Sequence, residues 1–194
     1  MQYDIPCIIF AGGKSSRMGE DKALLPFSTF STLTEYQYLR LSKIFKNVYI
    51  STKDEKKFNF SANYILDEPH TKTSYAPTAG FIAAFHQLNT EKIFVISVDS
   101  PFIGEEEIDA LIQADKDIYD ATIATTDRGI EPMCGIYHSS LFKTFLEMQN
   151  NDSHKLGFLL KNAKTNYIHF KDEKAFLNMN HPHEYQEALL LLKS

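Results

Sequence analysis

Three stretches of the chain carry residue types and spacings suited to chemistry on phosphates. The first is Ala11-Gly12-Gly13-Lys14-Ser15-Ser16-Arg17-Met18-Gly19-Glu20-Asp21-Lys22, directly after an apolar run at residues 5–10. Glycines let a backbone turn and bring its N–H groups close to an anion. Arg17 adds a planar fork of donors and Lys22 a mobile point charge. A stretch running from Phe10 through Ala11, Gly12 and Gly13 to Lys22 is therefore a candidate cradle for a triphosphate. The second stretch is Asp99-Ser100-Pro101, which ends the strongest strand signal in the chain, residues 93–98. A carboxylate at the end of a buried strand suits Mg2+, which takes one or two carboxylates plus phosphate oxygens. The third is Asn178-Met179-Asn180 ahead of His181-Pro182.

Each stretch also has a plainer reading. The glycine loop could be flexible linker with solvated charges, Asp99 a turn cap, and the two asparagines turn formers. The loop fits neither familiar nucleotide motif. A P-loop needs glycine before its lysine, whereas Asp21 precedes Lys22, and the Gly12-Gly13 pair breaks the dinucleotide GxGxxG register. None of the seven histidines falls in an HxxxH or HExxH pattern, so no zinc site is implied, and the His181-Pro182-His183 run reads as a helix start.

The elements that must position these residues alternate. Strand patterns fall at residues 5–10, 48–51, 64–66, 93–98, 121–125, 133–138 and 166–170. Helical patterns fall at residues 34–45, 78–88, 105–114, 141–148, 156–160 and 183–192. Such alternation predicts an α/β fold with a doubly wound, mostly parallel sheet, helices on both faces, and one or two antiparallel strands in the second half. In such sheets ligands bind beyond the carboxyl ends of the strands, where the first two stretches lie. We read one domain over residues 1–194, with a first part at about 1–100 that carries the glycine loop and the Asp99 turn and a second part at about 101–194.

Composition narrows the partners. There are 20 basic against 25 acidic residues, a net charge of −5, and the basic charge is nearly all lysine. Nucleic-acid binders draw affinity from many basic groups on phosphates, so no nucleic-acid partner is expected. The only arginines are Arg17, Arg40 and Arg128. Arg40 falls on the polar side of a helix and is expected in solvent, whereas Arg128, in a polar loop, is placed to reach an anionic acceptor. Cys7 and Cys134 sit in apolar runs outside any CxxC pattern and read as buried thiols. No apolar run approaches the roughly 20 residues of a membrane span, and the first ten residues lack the basic start of a signal peptide. A cytoplasmic protein with no membrane partner is expected.

The run AGGKSSRMGEDKALLPF resembles the signature loop of nucleotidyltransferases that attach a nucleoside monophosphate to a phosphorylated acceptor. Within that superfamily the AGG form resembles the molybdenum cofactor guanylyltransferases. Three further segments extend the likeness over nearly the whole chain. They are Asp67 with Ala76-Pro77-Thr78-Ala79-Gly80, then Ser97-Val98-Asp99-Ser100-Pro101-Phe102, then the run from Phe176 to Pro182. The sequence departs from the family pattern at Ala76 and Thr78, at Ser51 where the family tends to have asparagine, and at Glu131, where it usually has histidine.

The resemblance implies a Rossmann-like nucleotidyltransferase fold and transfer of GMP from GTP to the terminal phosphate of molybdopterin or the molybdenum cofactor, with Mg2+ as cofactor. It implies catalytic roles for Arg17, Lys22 and Asp99, with Asp99 as the metal ligand. Phe10, Ala11, Gly12, Gly13, Lys22, Ser51, Asp67, Gly80 and Asp99 would bind nucleotide. Asp67 would accept from ribose or base, and Gly80 would let backbone approach the base. Asn178, Asn180 and Lys155 would meet the acceptor. It also leaves room for transient contact with molybdoenzymes or cofactor chaperones. The alternatives are a CTP-dependent or sugar-phosphate nucleotidyltransferase, and a non-catalytic pterin carrier on the same fold.

Overall fold

The structure is a computed structural model, and it describes residues 2–12, 19–67 and 77–192. Gly13, Arg17 and Ala76 lie outside the described residues.

The central strand β1 (Cys7–Phe10) is buried at every position. Side chains alternate across a strand, so it feeds two cores. Cys7 and Ile9 join one apolar cluster with Leu33, Leu41, Ile108, Leu111 and Ala188. Ile8 and Phe10 join the other with Phe81, Phe85, Phe145 and Leu159. The first cluster lies under α1 (Leu33–Leu41), α3 (Glu105–Ala114) and α6 (Pro182–Leu191). The second lies under α2 (Pro77–Leu88), α4 (Phe142–Asn150) and α5 (Leu156–Asn162). Helices thus cover both faces of the sheet, as the alternation predicts.

The remaining strands are β2 (Val48–Thr52), β3 (Asn63–Leu66), β4 (Lys92–Ser97), β5 (Ala121–Thr126), β6 (Gly129–His138) and β7 (Thr165–His169). All seven form one sheet in the order β3-β2-β1-β4-β6-β5-β7. Pairs β1–β2, β1–β4, β2–β3 and β5–β7 are parallel; β4–β6 and β5–β6 are antiparallel. So β6 alone is reversed, and its beginning reaches the same sheet edge as the ends of β1 to β4.

The strand β6 starts four residues before the apolar pattern does, because Pro132 masks it. Proline has no N–H and does not fit a regular central strand. Here Ile123 pairs with Gly135, and the next residue, Ala124, pairs with Glu131. Pro132, Met133 and Cys134 therefore bulge away from β5, so the missing N–H breaks no ladder bond there. The Tyr137 hydroxyl braces the bulge by donating to the Pro132 carbonyl at 2.6 Å. Both cysteines are buried and unpaired, and burial pushes their thiols well above the ordinary range.

Arg40 is not in solvent. Its guanidinium donates to the Ile103 carbonyl at 2.5 Å and to Gln37 Oε1 at 2.6 Å, and burial lowers its pKa. Helical periodicity put Arg40 on the outer side of α1, but the segment after β4 folds over that side. Among the described residues no helix is long and apolar enough to cross a membrane.

Candidate active site

Four parallel strands bring their carboxyl ends to one edge, and the predicted residues gather there. Asp99 lies just past β4 and is 9% exposed. Its Oδ1 accepts from the Ser97 hydroxyl at 2.5 Å, and its Oδ2 meets Lys22 Nζ at 2.5 Å. The same ammonium donates to Asn180 Oδ1 at 2.9 Å. Residues 77 and 158 positions from Lys22 thus converge on one lysine.

Local sequence explains each placement. Lys22 begins a single 3-10 turn, residues 22–24, capped by Asp21, whose carboxylate accepts from the Ala23 N–H. Lys57 Nζ donates to the other oxygen of Asp21 at 2.8 Å and to the Ala11 carbonyl at 3.3 Å, tying the end of β1 to that turn. The turn after β4 hangs on Gln37, which is fully buried in α1 and donates to the Val98 and Ser100 carbonyls at 3.2 and 3.0 Å. The Met179 N–H donates to the Asp99 carbonyl at 3.1 Å. Glu184, in the first turn of α6, accepts from the Asn180 and His181 N–H groups at 2.7 and 2.8 Å. His181 is thereby the helix cap that the sequence suggests.

A second cluster lies beyond β1, β2 and β3. The Ser51 hydroxyl, 2% exposed, donates to Asp67 Oδ1 at 3.2 Å. Burial raises the Asp67 pKa, while the Ser51 hydrogen bond and nearby Lys53 oppose the rise. Gly12 is exposed, and its Cα faces Asp67 with room for a methyl group. Gly80 has no such room. A Cβ there would sit 2.6 Å from both the Phe10 ring and Ser51 Oγ. Phe10 in turn packs against Phe81, ring centroids 4.9 Å apart and the planes tilted by 42°. So α2 packs on the strand ends through a glycine backbone, which a side chain at this position would hold off.

The two acceptor-side asparagines reach this edge, whereas Lys155 is not drawn in. Asn178 Oδ1 accepts from the Ser100 hydroxyl at 2.5 Å. Lys155 is exposed at the start of α5, and no contact among the described residues links it to Asp99, Asn178 or Asn180. Its neighbour His154 instead meets Thr78 Oγ1 of α2 at 2.8 Å. Arg128 donates to the Phe176 carbonyl at 3.0 Å and lies 3.5 Å from Glu173, so it ties the β5–β6 turn to the segment carrying the asparagines.

Sequence reasoning missed Gln37, Ser97 and Lys57. Gln37 had a usable signal: it interrupts the apolar series Leu33, Leu41 at helical spacing, and a polar side chain in a buried stripe needs partners. Ser97 had one too, since it stands two residues before Asp99 in the same motif, whereas Lys57 left none, because it acts through contacts 36 and 46 positions away.

A divalent cation fits these residues. Asp99 already holds a positive charge at 2.5 Å, and 12% of its side chain is exposed at the carboxyl end of β4. Among the described residues no group of three or more His, Cys, Asp or Glu could hold a metal alone.

The comparisons agree with this geometry. The family model for the MobA-like NTP transferase domain matches residues 7–166. The chain is 39% identical over 190 residues to a molybdenum cofactor guanylyltransferase of Campylobacter jejuni subsp. doylei, covering 98% of each chain. It is 35% identical over 195 residues to one of Helicobacter pylori, covering 98% of this chain and 94% of the relative. Among solved structures it resembles molybdopterin-guanine dinucleotide biosynthesis protein A from Archaeoglobus fulgidus. There the TM-score is 0.82 at 21% identity, covering 97% of this chain and 99% of the other. Fold, site geometry and near-full-length similarity converge: the chain belongs to the MobA-like NTP transferase family.

Proposed function

We propose that this protein is a molybdenum cofactor guanylyltransferase. It transfers GMP from GTP to the terminal phosphate of molybdopterin or the molybdenum cofactor. An oxygen of the acceptor phosphate forms a bond to the α-phosphorus of GTP, the α–β phosphoanhydride bond breaks, and pyrophosphate leaves with the electron pair. The acceptor phosphate is already anionic, so no strong general base is needed. Rate then comes from positioning and from neutralising charge.

The observation that carries this reading is the meeting of Lys22, Asp99 and Asn180. It joins the glycine loop, the β4 turn and the C-terminal asparagines at one point. Lys22, with Arg17 and the backbone N–H groups around Gly13, would lie along the triphosphate. Ser51, Asp67, Phe10, Ala11, Gly12 and Gly80 would hold the nucleoside, and Asn178 and Asn180 the acceptor. Asp99 would hold Mg2+, which when bound withdraws charge from the phosphate oxygens. Residues 1–100 would thus serve the nucleotide and 101–194 the acceptor, in a cytoplasmic enzyme. The names of the Campylobacter and Helicobacter relatives support this substrate pair.

The test is incubation with GTP, Mg2+ and the pterin acceptor, reading pyrophosphate and the guanylated product. Thermal shift with each nucleoside triphosphate checks the base, and a shift with CTP but not GTP would reverse that choice.

A further inference from the structure

Gln37 and Arg40 stand three residues apart on α1, which puts them on one face of the helix. That face is turned to the segment after β4. Gln37 Nε2 donates to the Val98 and Ser100 carbonyls at 3.2 and 3.0 Å, with the Ser97 carbonyl at 3.4 Å. Arg40 donates twice to Gln37 Oε1, from Nε at 3.2 Å and from Nη2 at 2.6 Å. Its Nη1 donates to the Ile103 carbonyl at 2.5 Å. One amide thus grips the residues on either side of Asp99. The guanidinium that holds that amide grips the far end of the same segment.

A glutamine amide has N–H donors on one end and a carbonyl oxygen on the other, and either end fits the same space. Here the surroundings leave one choice. Backbone carbonyls only accept and a guanidinium only donates, so the nitrogen end faces the turn and the oxygen end faces Arg40. Flipped, Oε1 would oppose three carbonyl oxygens, and the amide N–H groups would oppose a cation. We propose that Arg40 and Gln37 are positioning residues for the divalent cation. The guanidinium orients the amide, the amide fixes the Val98 and Ser100 carbonyls, and Asp99 between them is held with its carboxylate ready for the ion. The Asp99 carbonyl is tied separately, by the Met179 N–H at 3.1 Å. With its backbone fixed on both sides, the Asp99 carboxylate is left to meet Lys22 and the Ser97 hydroxyl. This inference rests on the assignment of Asp99 as the metal ligand.

The probe is Mn2+ alone, added to 15N-labelled protein. The readout is the concentration that half-broadens the backbone amide signals of residues 97–100. Gln37→Glu keeps the side-chain shape and the acceptor for Arg40, but sets an oxygen against the Val98 and Ser100 carbonyls. The half-broadening concentration should rise about tenfold, the scale of one net hydrogen bond. The sign is diagnostic, because the added negative charge by itself would attract Mn2+ and lower that concentration. Arg40→Lys keeps the charge but loses the fork, and should raise it about threefold. In the Asp99→Asn background Gln37→Glu should cause no further rise, because the ligand it acts through is gone. In turnover, the Mg2+ concentration for half-maximal rate should rise with Gln37→Glu, and excess Mg2+ should restore the rate, which a general loss of structure would not allow.

A Gln37→Glu protein with a folded amide spectrum and a wild-type Mn2+ response overturns the proposal. So does a tenfold rise that persists in the Asp99→Asn background. Should Gln37→Glu not fold, Arg40→Lys decides, and a wild-type response there overturns the proposal. An Asp99→Asn protein that responds to Mn2+ as wild type does is a separate failure: it removes Asp99 as the metal ligand, and the proposal falls with that assignment.

Discussion

Two aspartates at opposite ends of β4 show what separates the carboxylate we propose as a metal ligand from a structural one. Asp115 ends α3 with its side chain 2% exposed. It accepts from Lys92 Nζ, Thr122 Oγ1 and His138 Nε2, each at 2.9 Å. Those partners stand on β4, β5 and β6, three strands of one rigid sheet. Asp99, at the other end, accepts from Ser97, the last residue of β4, and from Lys22 in a one-turn 3-10 segment. The first carboxylate is saturated by groups that cannot leave. The second is held by a lysine on a short segment that a phosphate could draw away. Charge count is similar at the two ends, and exchangeability is what differs.

The sharpest break of that contrast is Asp115→Ala. It would leave His138 without its acceptor in a buried place, while Lys92, more than a third exposed, keeps Asp117 at 3.8 Å. Removing one partner of such a set costs ~3–5 kcal/mol. Urea unfolding should show a loss of that size, with turnover per folded molecule unchanged at low temperature. A loss below ~1 kcal/mol would make Asp115 no more structural than Asp99.

Asp99→Asn and Lys22→Ala test the other side. Each should cut turnover at least about 100-fold, or ~2.7 kcal/mol of barrier. Their melting temperatures should stay near wild type, because neither group closes a saturated buried network. Unchanged turnover in both would remove the assigned site. A large fall in stability would show that the Lys22–Asp99 pair resembles the Asp115 cluster after all.

Acid sharpens the contrast more gently. Burial raises the Asp115 pKa, but the hydrogen bonds from His138, Lys92 and Thr122 outweigh it and bring it to about 2, from 3.8. A depressed carboxylate contributes stability that is present above its unfolded pKa and lost as pH falls through the folded one. Unfolding free energy should therefore fall by ~2 kcal/mol between about pH 4 and pH 2 on this account. Asp115→Asn should flatten that part of the curve.

How far the sequence could be read follows the same division. Local signals were strong where one residue type does one job. The apolar runs of β1 and β4, the glycines after β1 and the Pro182 helix start all mark themselves. Asp99, Lys22 and Asn180 were also legible, because the motif around each is itself local. What stayed hidden depends on which distant element arrives. Arg40 looked solvated because nothing in α1 announces that the Ile103 carbonyl will fold over it. Lys155 looked like a site residue, yet the start of α5 turns toward Thr78. Pro132 concealed the first four residues of β6, since only the register with β5 reveals a bulge.

The smallest effect tests whether Asp67 works as Asp99 does, through a partner that tunes it. Ser51 donates to Asp67 at 3.2 Å and opposes the upward push of burial on its carboxyl. Ser51→Ala removes that opposition, so the Asp67 pKa should rise further. Were the ionised carboxylate to accept from the nucleoside, GTP affinity would decline as pH falls through that pKa. The decline should then begin at a higher pH in the variant than in wild type. Near neutral pH the cost should be about threefold in KM for GTP, or ~0.6 kcal/mol, the low end for one hydrogen bond. A profile of kcat/KM for GTP against pH reads both quantities. If the acid limb keeps its place in Ser51→Ala while KM rises, Ser51 meets the nucleotide itself and Asp67 does not depend on it.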